Sequence, residues 1–327
     1  MNSKHLVDPE LTLLLDYLAS QGPDLSPTME SIPQRRAQMK ESAALLQTLA
    51  PPFPNVTVTE RLAPGPQGAP DVRVLVYIPT DASTPLPALL WIHGGGYIVG
   101  SADNDDVRAK TMASAVGCAV VSVDYRLAPE TPHPGPVEDC YAALKWLHAS
   151  SGELGVDSAR IAIGGGSAGG GLAAALGLLT RDRGEVPLVF QLLIYPMLDD
   201  RTVTTAEPNP YAGEFLWTPE ANRLGWTALL GQEPGGPDVS PYAAAARADN
   251  LAGLPPTWIG VGSIDLFVDE NIEYARRLIR AGVPTELRVY PGAPHGFNMI
   301  PTARVTQAFE QDLLGALTRA LRPGAQA

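Results

Sequence analysis

Cysteine is scarce in this sequence. Two residues, Cys118 and Cys140, occur in a chain of 327, too few for a disulfide framework or a multi-cysteine metal site. Both sit in apolar surroundings and read as core residues. Positive charge is sparse as well: 23 Lys and Arg against 35 Asp and Glu give a net charge of −12, and no basic run exceeds Arg35-Arg36 or Arg276-Arg277. Counterion release from a nucleic-acid backbone needs a clustered basic face, so no nucleic-acid partner is expected. No His-Glu-x-x-His or paired-cysteine pattern occurs, and neither a metal nor an organic cofactor is expected. The first ten residues hold no basic segment leading into an apolar stretch, and the leucine-rich run at 11–15 is too short to serve as one, so a cytoplasmic enzyme is expected. No self-similarity appears at a period of about 20–50 residues, which excludes a repeat architecture.

What is present is apolar and rich in turn formers. Apolar residues make up 45% and charged residues 18%, with 32 glycines and 32 prolines, a composition that folds into a core crossed by many turns. The length suits two average domains or one large α/β domain with an attached subdomain. Residues 161–180, IAIGGGSAGGGLAAALGLLT, carry no charge and approach spanning length. Their two glycine triplets would break a spanning helix where no water can satisfy the freed backbone groups, so no membrane span is expected.

Periodicity orders the rest. Asp8-Pro9 reads as an N-cap and first-turn proline leading into Leu11, Leu14, Leu15 and Leu18. Ser26-Pro27 offers a second helix start, with Met39, Ala43, Leu46 and Leu49 on one face and Pro51-Pro52 as its end. From Val56 the period changes to two, through Val72, Val74, Val76 and Ile78, which predicts a hairpin at a sheet edge. Short apolar runs then alternate with helix-length segments: strands at 88–92, 119–123, 160–163, 188–195, 257–261 and 286–290, with helices after Ser167, over 269–281 and after Pro301. That alternation predicts a mostly parallel sheet flanked by helices. The interval 197–241 breaks the rhythm and holds Tyr211, Phe215, Trp217 and Trp226. It reads as an insertion over the sheet edge.

The strongest chemical signal is Gly165-Gly166-Ser167-Ala168-Gly169 between a strand and an Ala/Leu-rich helix, the strand-turn-helix setting of a G-x-S-x-G nucleophile. A serine on such a strained turn needs small neighbours so that its Oγ projects clear, and the helix aims its N-terminal amides at the charge developing in acyl transfer. Gly164-x-Gly166-x-x-Gly169 also fits a dinucleotide fingerprint, with Asp182 further on, so a dehydrogenase is a rival. That fingerprint belongs to the first strand of its unit, whereas at least two parallel-type strands come earlier here. His93-Gly94-Gly95-Gly96 follows a strand about 70 residues earlier, and its glycines let backbone amides approach an oxyanion, as in esterases and lipases. Both elements serve one reaction.

Five histidines compete to be the base. His5 lies at the terminus, His93 shapes the glycine loop, His133 lies between prolines and His148 falls late in a helix. His295, in a loop after the last predicted strand, is the candidate, because catalytic groups gather at strand ends in α/β sheets. Asp265, following the strand at 257–261, is the favoured carboxylate, with Asp269 as runner-up at a helix start.

With these residues in place the chain resembles the bacterial hormone-sensitive lipase family of α/β-hydrolases. The likeness covers nearly its whole length through His93 to Gly96, Tyr125-Arg126-Leu127-Ala128-Pro129-Glu130, Gly165 to Gly170, Asp265-Leu266 and His295-Gly296-Phe297. It implies an α/β-hydrolase fold with a sheet of about eight strands and a helical cap. Ser167 would be the nucleophile, His295 the base and Asp265 the acid, with the amides of Gly95, Gly96 and Ala168 as oxyanion hole. The implied organisation is cap helices over 1–50, a catalytic core over 51–196 and 242–327, and a cap insertion over 197–241. Two positions depart from the family: Gly166 stands where Asp, Glu or Thr is usual, and Glu130-Thr131-Pro132-His133-Pro134 replaces the commoner Glu-His-Pro-Phe-Pro. The expected activity is that of a serine carboxylesterase on small uncharged esters with short to medium acyl chains, with Tyr97, Phe215, Leu216 and Trp217 against the substrate. An amidase or aryl formamidase using the same triad, a ligand-binding protein on the hydrolase scaffold, and a homodimeric assembly are carried as alternatives.

Overall fold

The computed structural model describes residues 3–13, 15, 16 and 27–322. Eight strands form one sheet: β1 (Val56–Ala63), β2 (Val72–Pro79), β3 (Leu86–Ile92), β4 (Ala119–Asp124), β5 (Val156–Gly166), β6 (Phe190–Ile194), β7 (Thr257–Gly262) and β8 (Thr285–Tyr290), in the spatial order β1-β2-β4-β3-β5-β6-β7-β8. The predicted hairpin is the antiparallel pair at one edge, β1 on β2 in register from Val56 opposite Pro79 to Ala63 opposite Val72. β2 joins β4 antiparallel, and from there to β8 every pairing is parallel.

The unbroken apolar strands are explained by burial on both faces. Along β3, Leu86, Ala88, Leu90 and Ile92 enter one core while Leu89 and Trp91 enter the other. Helices α3 (Gly135–Ala149) and α4 (Ala168–Arg183) cover the first face, through Val137, Leu144, Leu172 and Leu176. Helices α2 (Asp106–Val116) and α7 (Arg304–Leu321) cover the second, through Met112, Val116, Phe309, Leu313 and Leu317. Helix α6 (Val268–Arg280) adds Tyr274 and Leu278 to the first core.

At the start of the chain Asp8 caps a short turn, Pro9–Leu11, by accepting from the Glu10 amide at 2.8 Å. Leu11 and Leu15 are buried, and Leu14 and Leu18 lie outside the described residues. So does Ser26; the second helix is started instead by Thr28, in a reciprocal capping box with Ser31. Helix α1 (Ile32–Leu49) follows, but its buried face is Ile32 and Ala43, and Leu49 is 71% exposed. Of the expected face, Ala43 is buried and Leu49 is not. Arg36 anchors the helix, donating to the carbonyls of Ile98 and Ala128 at 2.8 Å and pairing with Glu130.

The interval that interrupts the strand rhythm holds a short turn, Asp200–Val203, and helix α5 (Pro219–Leu230), capped by Thr218 with proline in its first turn. Trp226 of α5 is fully buried against Tyr97, 5.3 Å between ring centroids. Among the described residues no helix is long and apolar enough to cross a membrane; 161–180 is the end of β5, a turn and the start of α4.

Candidate active site

Four loops leave the carboxyl ends of β3, β5, β7 and β8 at the same edge of the sheet, the edge where open α/β sheets assemble ligands. They carry His93 to Gly96, Ser167, Asp265 and His295 respectively.

Ser167 occupies φ 57°, ψ −122°, a conformation that costs a non-glycine residue about 1–3 kcal/mol. Its surroundings enforce it. The Ser167 amide donates to the Ile194 carbonyl at 2.9 Å, and its own carbonyl accepts from the amides of Gly171 at 3.0 Å and Met197 at 3.1 Å. Glycine is required on both sides, since a Cβ on Gly165 would fall 2.6 Å from the Ile92 carbonyl and one on Gly169 would collide with the carbonyls of Ile92 and His93. Gly164 packs on the neighbouring strand, where a Cβ would lie 2.9 Å from the Leu192 carbonyl, and the turn follows the fifth strand of the chain, not the first strand of a dinucleotide-binding unit. Gly166 differs, because a Cβ there would meet nothing nearer than Tyr195 Cε2 at 3.9 Å. Its glycine is not demanded by packing.

His295 Nε2 lies 3.0 Å from Ser167 Oγ and its Nδ1 lies 2.8 Å from Asp265 Oδ2. A carboxylate at Asp265 can only accept, so Nδ1 carries the ring proton and Nε2 is free to accept from the serine hydroxyl. The other carboxylate oxygen, Oδ1, accepts from the Phe267 amide at 2.9 Å, which fixes the acid's rotamer. All three residues are buried. Asp269 is exposed and takes a hydrogen bond from Asn209, so the structure brings Asp265, and not the runner-up, to the histidine.

Sequence reasoning missed the imidazole's lateral packing. Tyr195 meets it edge-on at 4.5 Å and Phe267 at 5.2 Å, and the Tyr195 hydroxyl is held by Asn298. Neither residue carried a motif that could single it out; Tyr195 follows β6 and Phe267 follows β7, and the parallel pairings of β6, β7 and β8 bring both beside the loop that holds His295.

Gly95 and Gly96 take φ of 114° and 60°, turning the loop after β3 towards Ser167. A Cβ on Gly94 would come 2.9 Å from the Gly166 carbonyl, so the loop and the serine turn are in direct contact. Among the described residues the amides of Gly95 and Gly96 donate to no backbone carbonyl, and the Ala168 amide opens α4, where no intrahelical acceptor exists. These three N–H groups are available to an oxyanion. His93 shapes the loop: its ring stacks on Tyr125 at 4.3 Å, its Nδ1 sits 2.7 Å from the Gly94 carbonyl, and burial holds the imidazole below its ordinary pKa and so uncharged.

Of the four residues expected against the substrate, Leu216 and Trp217 pack against this centre, while Phe215 packs on the second core. Phe215, Leu216 and Trp217 form a three-residue turn in which the Trp217 amide donates to the Phe215 carbonyl at 2.8 Å across Leu216, at φ 60°, the rare left-handed form of a γ-turn. Leu216 packs against Gly296, beside the histidine, and the Trp217 indole against Gly96. Trp217 Nε1 donates to the buried Asn222 at 3.1 Å, which fixes the ring. Tyr97 is a correction. It is fully buried, and its hydroxyl donates to the Met197 carbonyl at 3.0 Å. With φ at 68°, its side chain turns beneath the loop, where it supports the cleft without lining it.

Fold and site together define an α/β-hydrolase with a serine, histidine and aspartate at its centre. A family model described as alpha/beta hydrolase fold matches residues 89–299, and the chain belongs to that family, in its hormone-sensitive-lipase-like branch. It is similar to the Carboxylesterase NlhH of Mycobacterium tuberculosis, 37% identical over 297 residues, spanning 89% of this chain and 88% of that one. It is also similar to the Esterase LipI of the same organism, 33% identical and spanning 92% and 97%. Among solved structures, "Bacterial Heroin Esterase" superposes with a TM-score of 0.90 at 43% identity, covering 98% of this chain and 100% of that one.

Proposed function

We propose that this carboxylic ester hydrolase takes uncharged esters with short to medium acyl chains and cleaves them through an acyl-enzyme intermediate on Ser167. The observation that carries the reading is the unbroken relay from Asp265 through His295 to Ser167, at 2.8 and 3.0 Å. Ser167 Oγ attacks the ester carbonyl as His295 Nε2 takes its proton, and Asp265 holds the tautomer and stabilises the imidazolium that forms. The carbonyl oxygen, now an anion, is received by the amides of Gly95, Gly96 and Ala168, which are oriented before the substrate arrives. His295 returns its proton to the departing alkoxide. Water, activated by the same nitrogen, then releases the acid and restores Ser167. Every step uses side chains and backbone amides of this chain alone.

The acyl preference follows from the walls. Leu216 and Trp217 close over the base and over the oxyanion loop, which supports a short apolar slot. A p-nitrophenyl ester series from acetate to palmitate is expected to give a kcat/KM that is greatest in the short to medium range and falls steeply towards palmitate. A flat or rising profile would reject the slot. Residues 1–50 and 197–241 are read as a cap over a core formed by 51–196 and 242–327, because Leu216 and Trp217 lie in the second interval and α1 is clamped by Arg36 to Ile98, just past the glycine loop.

A homodimer is proposed on the open β8 edge, where Val289 is 40% and Ile279, on the neighbouring α6, 59% exposed; such an edge is a template for pairing. Light scattering at twice the 34.6 kDa chain mass is the expected result, and a monomer mass would reject it. A cytoplasmic location is supported by two buried, unpaired cysteines, which suit a reducing compartment. Recovery of the protein with secreted material would contradict it.

A further inference from the structure

Helix α6 begins three residues after Asp265, and its first turn carries two buried polar side chains that the reaction described above does not use. Glu270 Oε1 accepts from the Leu198 amide at 2.6 Å and, more weakly, from the Asp199 amide at 3.4 Å. Its Oε2 bonds the Thr202 hydroxyl. Asn271, fully buried, donates from Nδ2 to the Pro196 carbonyl at 2.7 Å. Burial pushes the Glu270 carboxyl well above its ordinary pKa against the pull of these donors. Removing a charged group from water at this depth is costly unless its bonds are specific.

All four bonds reach one segment, 196–202, and that segment touches the nucleophile. Met197 lies between the residues gripped by Asn271 and Glu270; its amide donates to the Ser167 carbonyl at 3.1 Å, and its carbonyl accepts from Tyr97. A Cβ on Gly170 would lie 3.0 Å from Pro196, so the same segment also packs on the first turn of α4. Its outer side is tied elsewhere: Asp200 pairs with Arg247 and accepts from the Gly235 amide, and the Leu198 carbonyl accepts from the Ala246 amide. Beyond it lies a cavity of about 1050 Å³ lined in part by Asp199, Thr202 and Glu270. Two side chains of α6 thus bond directly to the segment that lies under Ser167.

We propose that Glu270 and Asn271 are positioning residues, a strut through which α6 sets the register of Ser167 against His295. The proposal rests on the triad assigned above. A nucleophile held at φ 57° has no local preference for its position and must be located from outside. A displacement of about 1 Å at the reacting atoms can cost about 10²-fold in rate.

The test is the kinetics of Glu270→Leu, Asn271→Leu, Glu270→Gln and Thr202→Val on p-nitrophenyl butyrate, normalised to active sites titrated with diethyl p-nitrophenyl phosphate. Each leucine variant is expected to lose about 10²-fold in kcat with KM within about twofold of wild type, and to phosphorylate proportionally more slowly. Glu270→Gln, which keeps an acceptor for the Leu198 amide and a group able to bond the Thr202 hydroxyl, is expected to recover most of that rate. A purely structural role would lower the melting temperature and the titrated fraction and leave kcat per titrated site unchanged; that result in the leucine variants overturns the proposal, as does a change confined to KM. Should Glu270→Leu fail to fold, Asn271→Leu and Thr202→Val decide, the latter on a partly exposed turn with an expected loss of several-fold. Turnover retained by Ser167→Ala would overturn the triad itself, an outcome separate from these.

Discussion

Ser167→Ala is expected to lower kcat by about 10⁶-fold, the size of loss seen when the nucleophile of a triad that acts as a unit is removed, and to abolish labelling by an organophosphate. The fold should survive. Alanine differs by one buried hydroxyl whose partner is His295 Nε2, and the turn is held by backbone bonds to Ile194, Gly171 and Met197 that do not involve the side chain. The backbone strain stays with alanine. It is relieved in Ser167→Gly, which is expected to match the inactivity of Ser167→Ala while melting higher, by the equivalent of about 1–3 kcal/mol for a residue released from φ 57°. Calorimetry of the two inactive variants checks this pairing. Equal melting temperatures would show that the turn stores no strain, and retained turnover in either would remove Ser167 from the reaction.

Gly96→Ala is the second large effect. At φ 60° alanine is strained by about 1–2 kcal/mol, a cost that falls on stability. The structure predicts a severe loss of activity, because the new methyl would overlap the Trp217 indole, and that ring is tethered by its hydrogen bond to buried Asn222. The loop must then move away, taking with it an amide proposed above to receive the oxyanion. Loss of one such donor costs about 10²–10³-fold in kcat. The double variant Gly96→Ala/Trp217→Ala frees the space and is expected to regain a large part of that loss, although with a weaker grip on the ester. Steady-state kinetics of the two variants decides: a mild single variant, or a double variant no better than the single, would mean that the indole does not hold the loop.

These two residues also separate what was legible from what was not. The serine turn, the glycine loop and the candidate base each announce themselves within five residues of sequence, because the chemistry needs small residues and a specific side chain at adjacent positions. The strands were equally open to reading, since a sheet buried on both faces leaves unbroken apolar runs such as 88–92. The docking of α1 was legible only in part: of the apolar face that begins with Met39 and Ala43, Ala43 is buried but Leu49 is exposed, and Arg36 makes the polar connection. A long side chain that bonds two carbonyls far along the chain leaves no periodic trace. Tyr97 failed for a related reason. It follows the glycine loop directly and is aromatic, yet its positive φ rotates it under the cleft, and no neighbour in sequence encodes that rotation.

The sequence by itself determined the fold class and singled out Ser167 and His295 as the candidate nucleophile and base, because each is written in local pattern and in residue types that few other structures require. Tertiary structure placed what the sequence had only favoured, Asp265 and not Asp269 beside His295 and Leu216 and Trp217 against the centre, and it alone showed that Glu270 and Asn271 grip the segment beneath the serine. Ser167 and His295 are 128 residues apart, and His295 and Asp265 are 30 apart. Their distances depend on parallel strand register and on helices packed across the sheet, and such long-range geometry follows from the burial of the whole core and not from any segment within it.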